Sequence, residues 1–394
     1  MLPTIRLKPG HVQPVWAGHP WVYAQAVDRV EGGPARGDEV RVVDPRGNVL
    51  GRGLYSPGSA LVVRIVVRDE KTPIDGSLFA ARIRHADSVR RALGLGSEET
   101  TGYRVVHAEG DGLPGLIVDR FGDALVVQFL TFGMKAREHE ILEALRNTLE
   151  PQTIIDRTPA APAKTEGFTP SAGVVAGRSI PALQFKERAL SYEIPLELGQ
   201  KTGFYFDQRE VRGRVEQLAK GKRVLDAYSY VGAFGMAAAR GGATHVLSVD
   251  ENALAIEVAA LNARRNHLAE KMEMVPRDAR RVLSDAHGSY DLAIVDPPRL
   301  APTRAARDKA LFAYAKLAEL GCRAVRPGGT LVFCSCSAAV NLEMLSRALS
   351  LGALRANVQA IIVERMFQGA DHPVSAAFPE GLYLKTLFVR VEPR

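Results

Sequence analysis

Short apolar runs alternate with stretches of helical periodicity over the second half of the chain, from residue 189 to residue 394. Helices between most of these runs predict an α/β fold, in which a parallel sheet is covered by helices on both faces. Ligands bind such sheets outside the carboxyl ends of the strands, so we expect the functional residues there. The apolar runs that predict strands are Arg223–Ala227, His245–Val249, Met272–Val275, Leu292–Val295, Thr330–Cys334, Ala360–Glu364 and Leu384–Val391.

The first 72 residues follow a different pattern, in which short strands are interrupted by Gly and Pro. Strands are predicted over Glu39–Val43, Asn48–Tyr55 and Ala60–Val67, and together they indicate a compact β-barrel. Trp21 stands beside an early Gly-His-Pro turn. Its indole is either part of the core of this barrel or a group that faces RNA.

Residues 75–188 mix helical and strand periodicity and predict a small α+β domain. Two helices are predicted, over Leu78–Leu93 and about Ala136–Leu149. The stretch Thr158–Gly177 is rich in Pro, Ala and Gly and predicts a loop. The chain therefore divides into three predicted domains, residues 1–72, 75–188 and 189–394. The strands predicted in the second domain are Tyr103–Glu109, Leu116–Phe121, Leu125–Phe129 and Thr153–Arg157.

The composition is that of a globular protein, with 46% apolar and 24% charged residues. No apolar run approaches the roughly 20 residues that a membrane span needs, and the N-terminus lacks the apolar core of a signal peptide. We therefore expect a cytoplasmic protein without a membrane partner. Its net charge of +7 slightly favours an anionic partner such as nucleic acid. The oligomeric state, monomer or homodimer, is not readable from the sequence.

The three cysteines lie close together, at Cys322, Cys334 and Cys336. They are too few for a disulfide framework. Cys334 and Cys336 have the spacing C-x-C, but no second Cys/His pair completes a zinc site. We expect no bound metal.

The loop after the first strand of the third domain has the character of a nucleoside-binding turn. It reads DAYSYVGAFG from Asp226 to Gly235, and Gly232 and Gly235 allow a tight turn and a close approach to a ligand. The dinucleotide fingerprint G-x-G-x-x-G is absent from the chain. A nucleoside without a pyrophosphate needs less of that glycine cradle. Tyr228 and Phe234 of this loop are candidate contacts to such a ligand.

Two further acids follow the next strands. Asp250 ends the second strand, where it can accept hydrogen bonds from ribose hydroxyls, and Asp278 follows the third, where it can read an adenine amino group. Taken singly, each acid is explained as a surface or capping residue. Together with Asp226 at successive strand ends, they predict the adenosyl site of S-adenosylmethionine.

A loop dense in aromatic and charged residues, GQKTGFYFDQR, spans residues 199–209 and precedes a predicted helix over Val211–Leu218. A helix entry capped by Asp207 explains only that residue. We favour a flap over the cofactor, with Phe204 in contact with it and Arg209 near the methionine carboxylate.

The fourth and fifth strands end in Asp296-Pro-Pro and in Ser-Cys336-Ser. Alternation along a strand places Cys334 within the strand and Cys336 at its tip, where it can face the same cleft as Asp296. A thiolate that adds to C6 of cytosine makes C5 nucleophilic, and Asp296 can supply a proton or hydrogen bond at N3. The alternative is that Cys336 is a small buried residue, as we expect for Cys322.

A D-P-P loop also serves amino-group methylation, where an aromatic residue usually follows the prolines. Here Arg299 follows instead, which weakens that alternative. With Arg304 and Arg307 it forms a candidate RNA-phosphate surface, unless the three are a solvated basic face.

With these motifs, the chain resembles the large-subunit (23S) ribosomal RNA cytosine-C5 methyltransferases that carry an N-terminal PUA domain. The resemblance covers essentially the whole length. The loop Arg157–Gly167 and the Arg299-Leu300 that follows D-P-P depart from the pattern, so the modified RNA position stays open. The matching stretches are GHPWVYAQAV, AEGDGLPGLIVDRFGD, GQKTGFYFDQR, VLDAYSYVGAFG, SVDENALAIEVAALNARRN, DPPR, SCS and ADHPVSAAFPEGLYLKTLFVRV.

The resemblance implies a PUA barrel in residues 1–72, a small α+β domain, and a class I methyltransferase domain with Cys336 as the nucleophile. Other RNA cytosine-C5 methyltransferases have a second cysteine in the D-P-P region, and this chain has none there. The group that removes the C5 proton is therefore open. Two rival functions are methylation of another base, such as guanine, on the same scaffold, and a ribosome-assembly factor that binds RNA without turnover.

Overall fold

The computed structural model describes residues 2–199, 202–301 and 303–394, without the side chain of Arg304. These residues form two compact units. The first comprises Met1–Ala189, Gly199–Phe206 and Ala370–Gly381. The second comprises Leu190–Leu198, Asp207–Gly369 and Leu382–Arg394.

The first unit begins with a six-stranded sheet in the order β2-β6-β5-β4-β1-β3. Inward-facing residues such as Val40, Val42 and Val63 form its core. The three strands predicted in this region are confirmed to within one residue. The elements are β1 (Thr4–Leu7), α1 (Gln13–Trp16), β2 (Trp21–Tyr23), β3 (Val27–Glu31), β4 (Glu39–Val43), β5 (Val49–Tyr55) and β6 (Leu61–Val67).

A second sheet of the same unit has five strands in the order β11-β10-β9-β8-β7. Phe79 and Ile83 of α2 share a buried core with Ile141 and Leu145 of α4, so both helices bury an apolar face. Asp75 caps α2 by accepting hydrogen bonds from two backbone amides. The elements are α2 (Gly76–Ala92), β7 (Gly102–His107), β8 (Leu116–Phe121), β9 (Ala124–Phe129), α3 (Phe132–Lys135), α4 (Glu138–Leu149), β10 (Thr153–Asp156), α5 (Ala160–Glu166), β11 (Gly173–Gly177) and β12 (Ala182–Glu187).

The predicted loop over Thr158–Gly177 is wrong, because the segment contains helix α5 and strand β11. Pro159 precedes α5 in an extended conformation and Gly167 ends it in the left-handed conformation. Pro and Gly therefore stand mainly at the ends of these elements, and the alanines between them favour a helix. β11 then pairs antiparallel with β10 at the edge of the sheet.

The second unit contains a seven-stranded sheet in the order β16-β15-β14-β17-β18-β20-β19. All seven predicted strands are present. Strands β14 to β18 run parallel, whereas β20 is antiparallel to both β18 and β19. The prediction of a wholly parallel sheet is wrong at this edge, because the chain returns from β19 to β20 without a helical crossover. The seven strands are β14 (Arg223–Ala227), β15 (His245–Asp250), β16 (Met272–Pro276), β17 (Tyr290–Val295), β18 (Val325–Ser335), β19 (Val358–Met366) and β20 (Lys385–Pro393), and the unit also contains β13 (Leu190–Pro195) outside this sheet.

Helices follow most strands of this sheet, and its central strands β14 and β17 are largely buried. β17, for example, is buried over its whole length. Among the described residues, no helix is both long enough and apolar enough to span a membrane. The helices are α6 (Arg209–Leu218), α7 (Ala233–Arg240), α8 (Ala253–Arg265), α9 (Ala279–Asp285), α10 (Arg307–Ala324) and α11 (Leu342–Ala356).

Candidate active site

The turn after β14 is fixed by a buried carboxylate. Asp226 is 1% exposed, and its Oδ2 accepts a hydrogen bond of 2.8 Å from the backbone N–H of Gly235. A side chain at Gly235 would bring its Cβ to within 2.4 Å of Ser248 Oγ, and Gly232 has a φ of +74°. Both glycines are therefore required by the turn, as the sequence predicts.

Two tyrosines of the same turn adopt a backbone conformation that is rare for them. Tyr228 and Tyr230 have φ values of +65° and +49°. The Tyr230 N–H donates to Asp250 Oδ2 over 2.9 Å, and the Asn252 N–H donates to Asp250 Oδ1 over 3.0 Å. Asp250 thus holds the strained turn in place, and such strain concentrates at ligand-binding sites.

Negative charge accumulates at the carboxyl ends of these strands. Burial is the main cause that raises the pKa of Asp226 to about 7, and the charges of Asp296 and Asp250 contribute to this rise. The hydrogen bond from the Gly235 N–H acts in the opposite direction and lowers the pKa. Within the described residues, Asp226 Oδ1 and Ser229 Oγ are buried and have no hydrogen-bond partner. Such a site suits a ligand that carries positive charge and hydroxyl donors. S-Adenosylmethionine, with its sulfonium, ammonium and ribose hydroxyls, fits these residues.

Cationic side chains from α6 border the same turn. Arg209 and Arg212 are both buried, and the Arg212 guanidinium lies 5.8 Å from the centroid of the Phe234 ring. Arg212 also opposes the rise in the pKa of Asp226. The buried position of Arg209 is compatible with binding a carboxylate, and its contact with the methionine carboxylate stays a prediction.

Asp278 has a clear structural role. It caps α9 by accepting a hydrogen bond of 2.8 Å from the Arg280 N–H, and it pairs with the Arg280 guanidinium at 3.1 Å. The side-chain hydrogen bond from Arg280 is the main reason that the pKa of Asp278 is lowered. Its predicted contact with adenine is not tested by these contacts.

Two predicted site residues lie in the first unit and make close contacts there. Phe204 is 2% exposed and stacks edge-on against Phe185, with 4.9 Å between ring centroids. Trp21 is half-buried, donates its indole N–H to Glu109 over 2.8 Å, and contacts Phe378 at a centroid distance of 4.4 Å. Packing therefore accounts for both residues, while their ligand contacts stay predictions.

Asp296 and Cys336 follow neighbouring parallel strands, as predicted. Val295 pairs with Phe333 in the register of β17 and β18, so Asp296 and Cys336 both leave the sheet at its carboxyl edge. Both side chains are half-buried. Gln208, at the entry to α6, donates its side-chain amide to Asp296 Oδ2 over 3.0 Å.

Tyr314 of α10 holds the two serines that flank Cys336. Its hydroxyl accepts a hydrogen bond of 2.9 Å from Ser335 Oγ and lies 3.1 Å from Ser337 Oγ. Ser337 Oγ also accepts from the Ala301 N–H, which follows the D-P-P turn. These buried hydrogen bonds join the loop that carries Asp296 to the loop that carries Cys336.

The other two cysteines are core residues, as the sequence predicts. Cys334 lies within β18, where it accepts a hydrogen bond from Thr386, and burial raises its pKa well above the ordinary value. Cys322 lies in the last turn of α10, and burial raises its pKa to about 12. Neither is placed for nucleophilic chemistry, which requires a thiolate.

Of the three arginines predicted to bind RNA, Arg299 is exposed just after the D-P-P turn. Arg307 is half-buried at the start of α10 and pairs with Asp308 at 3.3 Å. The side chain of Arg304 lies outside the described residues. Their role toward RNA stays a prediction.

Comparison with known proteins agrees with this geometry. Residues 103–377 match the family model of the S-adenosylmethionine-dependent methyltransferases, and residues 5–68 match that of the PUA-like domain. A protein of Shewanella frigidimarina, ribosomal RNA large subunit methyltransferase I, is 36% identical over 98% of this chain and 99% of its own. This chain belongs to the S-adenosylmethionine-dependent methyltransferase family.

Solved structures support the fold of this methyltransferase over its whole length. SMU.776, a methyltransferase complexed with SAH, has a TM-score of 0.85 at 21% identity and covers 99% of this chain and 100% of its own. A protein described as a SAM-dependent methyltransferase from Streptococcus mutans has a TM-score of 0.83 at 20% identity, with the same coverage. The PUA-like domain, the class I fold and the cofactor S-adenosylmethionine are thereby confirmed.

Sequence reasoning missed several polar residues of the methyltransferase site, namely Gln208, Arg212, Tyr314 and Lys385, whose buried Nζ donates a hydrogen bond to the carbonyl oxygen of Ser337. Lys385 carried a signal, because it falls inside the apolar run Leu384–Val391, where a lysine must be buried. Gln208 stood within the predicted flap. Tyr314 gave no signal, since an aromatic residue within an apolar helix indicates only a core position.

Proposed function

We propose that this methyltransferase forms 5-methylcytosine in the ribosomal RNA of the large subunit, through a covalent bond between Cys336 and C6 of the target cytosine. The observation that carries the proposal is the placement of Asp296 and Cys336 at the ends of β17 and β18, joined by the Tyr314 network. A half-buried thiol at a strand tip suits nucleophilic attack, whereas the buried Cys334 does not.

The reaction needs a nucleophile at C6, a proton or hydrogen bond at N3, a methyl donor and a base for the C5 proton. The Cys336 thiolate adds to C6, which breaks the C5–C6 double bond, while Asp296 gives a proton or a hydrogen bond to N3. S-Adenosylmethionine, when bound, supplies the electrophilic methyl group that C5 receives. Loss of the C5 proton to a base then restores the double bond and releases the Cys336 thiolate, and a proton given to N3 returns to Asp296.

The cofactor is assigned to the turn after β14. Asp250 is proposed to accept hydrogen bonds from the ribose hydroxyls, and Asp278 to face the adenine. Arg209 is proposed to bind the methionine carboxylate. Tyr228, Gly232 and Phe234 of the turn, together with Asp226, Phe204 and Asp296, complete the proposed cofactor contacts.

An RNA substrate is proposed on two grounds. The name of the curated relative states that it acts on large-subunit ribosomal RNA, and that relative matches this chain from end to end. Arg299, Arg304 and Arg307 follow the D-P-P turn closely in the sequence, and we propose that they bind phosphates. Trp21 of the PUA-like domain is the proposed aromatic contact to RNA.

The test is transfer of a labelled methyl group from S-adenosylmethionine to unmodified large-subunit ribosomal RNA, offered as naked RNA and as subunits, followed by nucleoside analysis. We expect label in 5-methylcytidine alone. Label in a methylated guanosine would support the rival enzyme function, and cofactor binding without transfer would support the assembly factor.

Cys336→Ser tests the covalent step. We expect turnover to fall by about 10⁴-fold or more, because removing an essential nucleophile leaves only positioning and electrostatics, while cofactor affinity stays unchanged. Cys334→Ala is the matched control, since it removes a buried thiol two residues away and should leave turnover within a few-fold. Comparable activity in Cys336→Ser and the unmodified chain would end the thiol mechanism.

RNA that contains 5-fluorocytosine gives a direct measurement of the adduct. Fluorine at C5 cannot leave as a cation, so elimination stops after methyl transfer and the S–C6 bond persists. We expect a complex that survives denaturing electrophoresis with the unmodified chain and with Cys334→Ala. The complex should be missing with Cys336→Ser.

A further inference from the structure

Lys385 lies at the first position of β20, directly opposite Ser335 in the antiparallel register of β18 and β20. Its side chain is buried, with 3% exposure. The Nζ atom donates a hydrogen bond of 2.8 Å to the carbonyl oxygen of Ser337. The lysine therefore starts at the level of Ser335 and ends at Ser337, so its side chain runs past the residue between them, Cys336.

A buried ammonium group normally requires a partner of opposite charge, because removal of a charge from water is expensive. Among the residues that the structure describes, no carboxylate forms an ion pair with Lys385, and its hydrogen bond goes to a neutral carbonyl. The other cation that acts on it is Arg299, which repels it, and the group that favours its charge is Cys336. The site thus holds a cation whose anionic partner is missing until a thiolate forms.

We propose that Lys385 is the counter-ion of the Cys336 thiolate and thereby a positioning residue of the methyltransferase. This inference rests on the proposed function, in which that thiolate is the nucleophile. The thiol proton leaves to solvent, and Lys385 keeps its own proton throughout. The S–C6 bond then forms beside a charge that stabilises the sulfur again when the bond breaks.

The ionisation state of Lys385 agrees with this role. Burial, with a smaller contribution from Arg299, lowers the pKa of Lys385 to about 8, while Cys336 acts in the opposite direction. The ammonium form is therefore present at neutral pH, where the thiolate is needed. The other titratable groups at this place are Tyr314, Asp296 and Cys334, and burial raises the pKa of both Tyr314 and Cys334.

The test follows the thiol itself and uses no RNA. The full-length protein is treated with iodoacetamide from pH 5.5 to pH 9.5, and alkylation of Cys336 is quantified by mass spectrometry of its peptide, separately from Cys322 and Cys334. In Lys385→Gln, an amide donor can still bind the Ser337 carbonyl but the charge is gone. In Lys385→Arg, the charge is kept.

We expect Lys385→Gln to raise the pH midpoint of alkylation by about one to two units and to slow alkylation at pH 7 about tenfold. Lys385→Arg should keep the midpoint within about half a unit. Cofactor affinity should be unchanged in both variants, which checks that the fold is intact. An unchanged midpoint in Lys385→Gln overturns the proposal, and equal shifts in both variants indicate that the lysine only holds the loop.

The unmodified chain gives a second test that needs no variant. Its Cys336 should be alkylated with a midpoint below about 8.5, the value of an ordinary thiol. A midpoint at or above that value overturns the proposal even if the variants fail to fold. Nucleoside analysis decides the proposed function separately, so a shifted thiol midpoint without 5-methylcytidine would reject the function and keep the ion pair.

Discussion

Two buried regions, one in each unit of the molecule, hold charge in opposite ways. In the first unit, Arg90 is completely buried and its guanidinium donates to both carboxylate oxygens of Asp111 and to backbone carbonyls, including that of Asp371. In the second unit, Asp226 and Lys385 are also buried, but within the described residues neither forms an ion pair. Both of these residues lie at the carboxyl edge of the seven-stranded sheet.

The difference separates charges that hold the fold from charges that await a ligand. A charge that is already paired and fully hydrogen-bonded gains little interaction energy from a ligand. Arg90 and Asp111 are therefore structural. A buried charge without a partner destabilises the isolated protein and is relieved when the partner arrives. On our proposal, the cationic groups of the cofactor relieve Asp226, and the thiolate of Cys336 relieves Lys385.

The largest loss of stability should come from removing the ion pair between Arg90 and Asp111. Arg90→Met leaves Asp111 buried without its partner, and we expect the free energy of unfolding to fall by about 3–5 kcal/mol, measured by denaturant titration. Arg347→Met, which removes an exposed pair with Glu343 on α11, is the control and should change it by less than about 0.5 kcal/mol. A small effect of Arg90→Met would remove the contrast between the two units.

Removing the unpaired charge of Asp226 should instead raise the stability of the protein without cofactor. The pKa of Asp226 is raised to about 7, so between about pH 4 and pH 7 the folded protein holds a proton that the unfolded chain has lost. The carboxylate therefore reduces stability progressively as pH rises to 7. Asp226→Asn keeps the acceptor for the Gly235 N–H, so without cofactor we expect a higher thermal midpoint than the unmodified chain at pH 8, and a smaller difference at pH 5.

The same variant should bind S-adenosylmethionine about 10- to 100-fold more weakly, because a hydrogen bond to a charged group is worth about 1.5–3 kcal/mol. Isothermal titration calorimetry measures this loss. If Asp226→Asn instead lowers the thermal midpoint at pH 8, then Asp226 is a structural charge like Asp111, and the comparison fails.

The smallest expected effect concerns Asp278. This residue is intermediate between the two regions, because it is paired with Arg280 and also follows the end of a strand of the large sheet. Asp278→Ser keeps a capping oxygen for α9, so stability should change by less than about 0.5 kcal/mol, whereas Asp278→Ala should lose about 1 kcal/mol. We expect both variants to bind the cofactor about tenfold more weakly if the carboxylate faces adenine. Unchanged affinity in Asp278→Ser would leave capping as its whole role.

Hydrophobic periodicity was sufficient to predict most of the fold. All seven strands of the large sheet were predicted, because buried parallel strands are nearly continuous apolar runs. The segment Thr158–Gly177 was not, since a rule based on composition cannot tell whether Pro and Gly stand inside an element or at its ends. The antiparallel direction of β20 was missed, although the strand itself was predicted, because strand direction depends on the path of the connection and has no pattern in the sequence of the strand.

Within the site, the sequence by itself determined which residues can carry the chemistry. The spacing of Asp226, Asp250 and Asp296 along the chain, together with Cys336 at a strand tip, follows from the alternation of strands and helices. Only the tertiary structure decided which charges are neutralised. The pairing of Arg90 with Asp111 and the isolation of Lys385 beside Cys336 depend on contacts between residues far apart in the chain, and such contacts have no local pattern in the sequence.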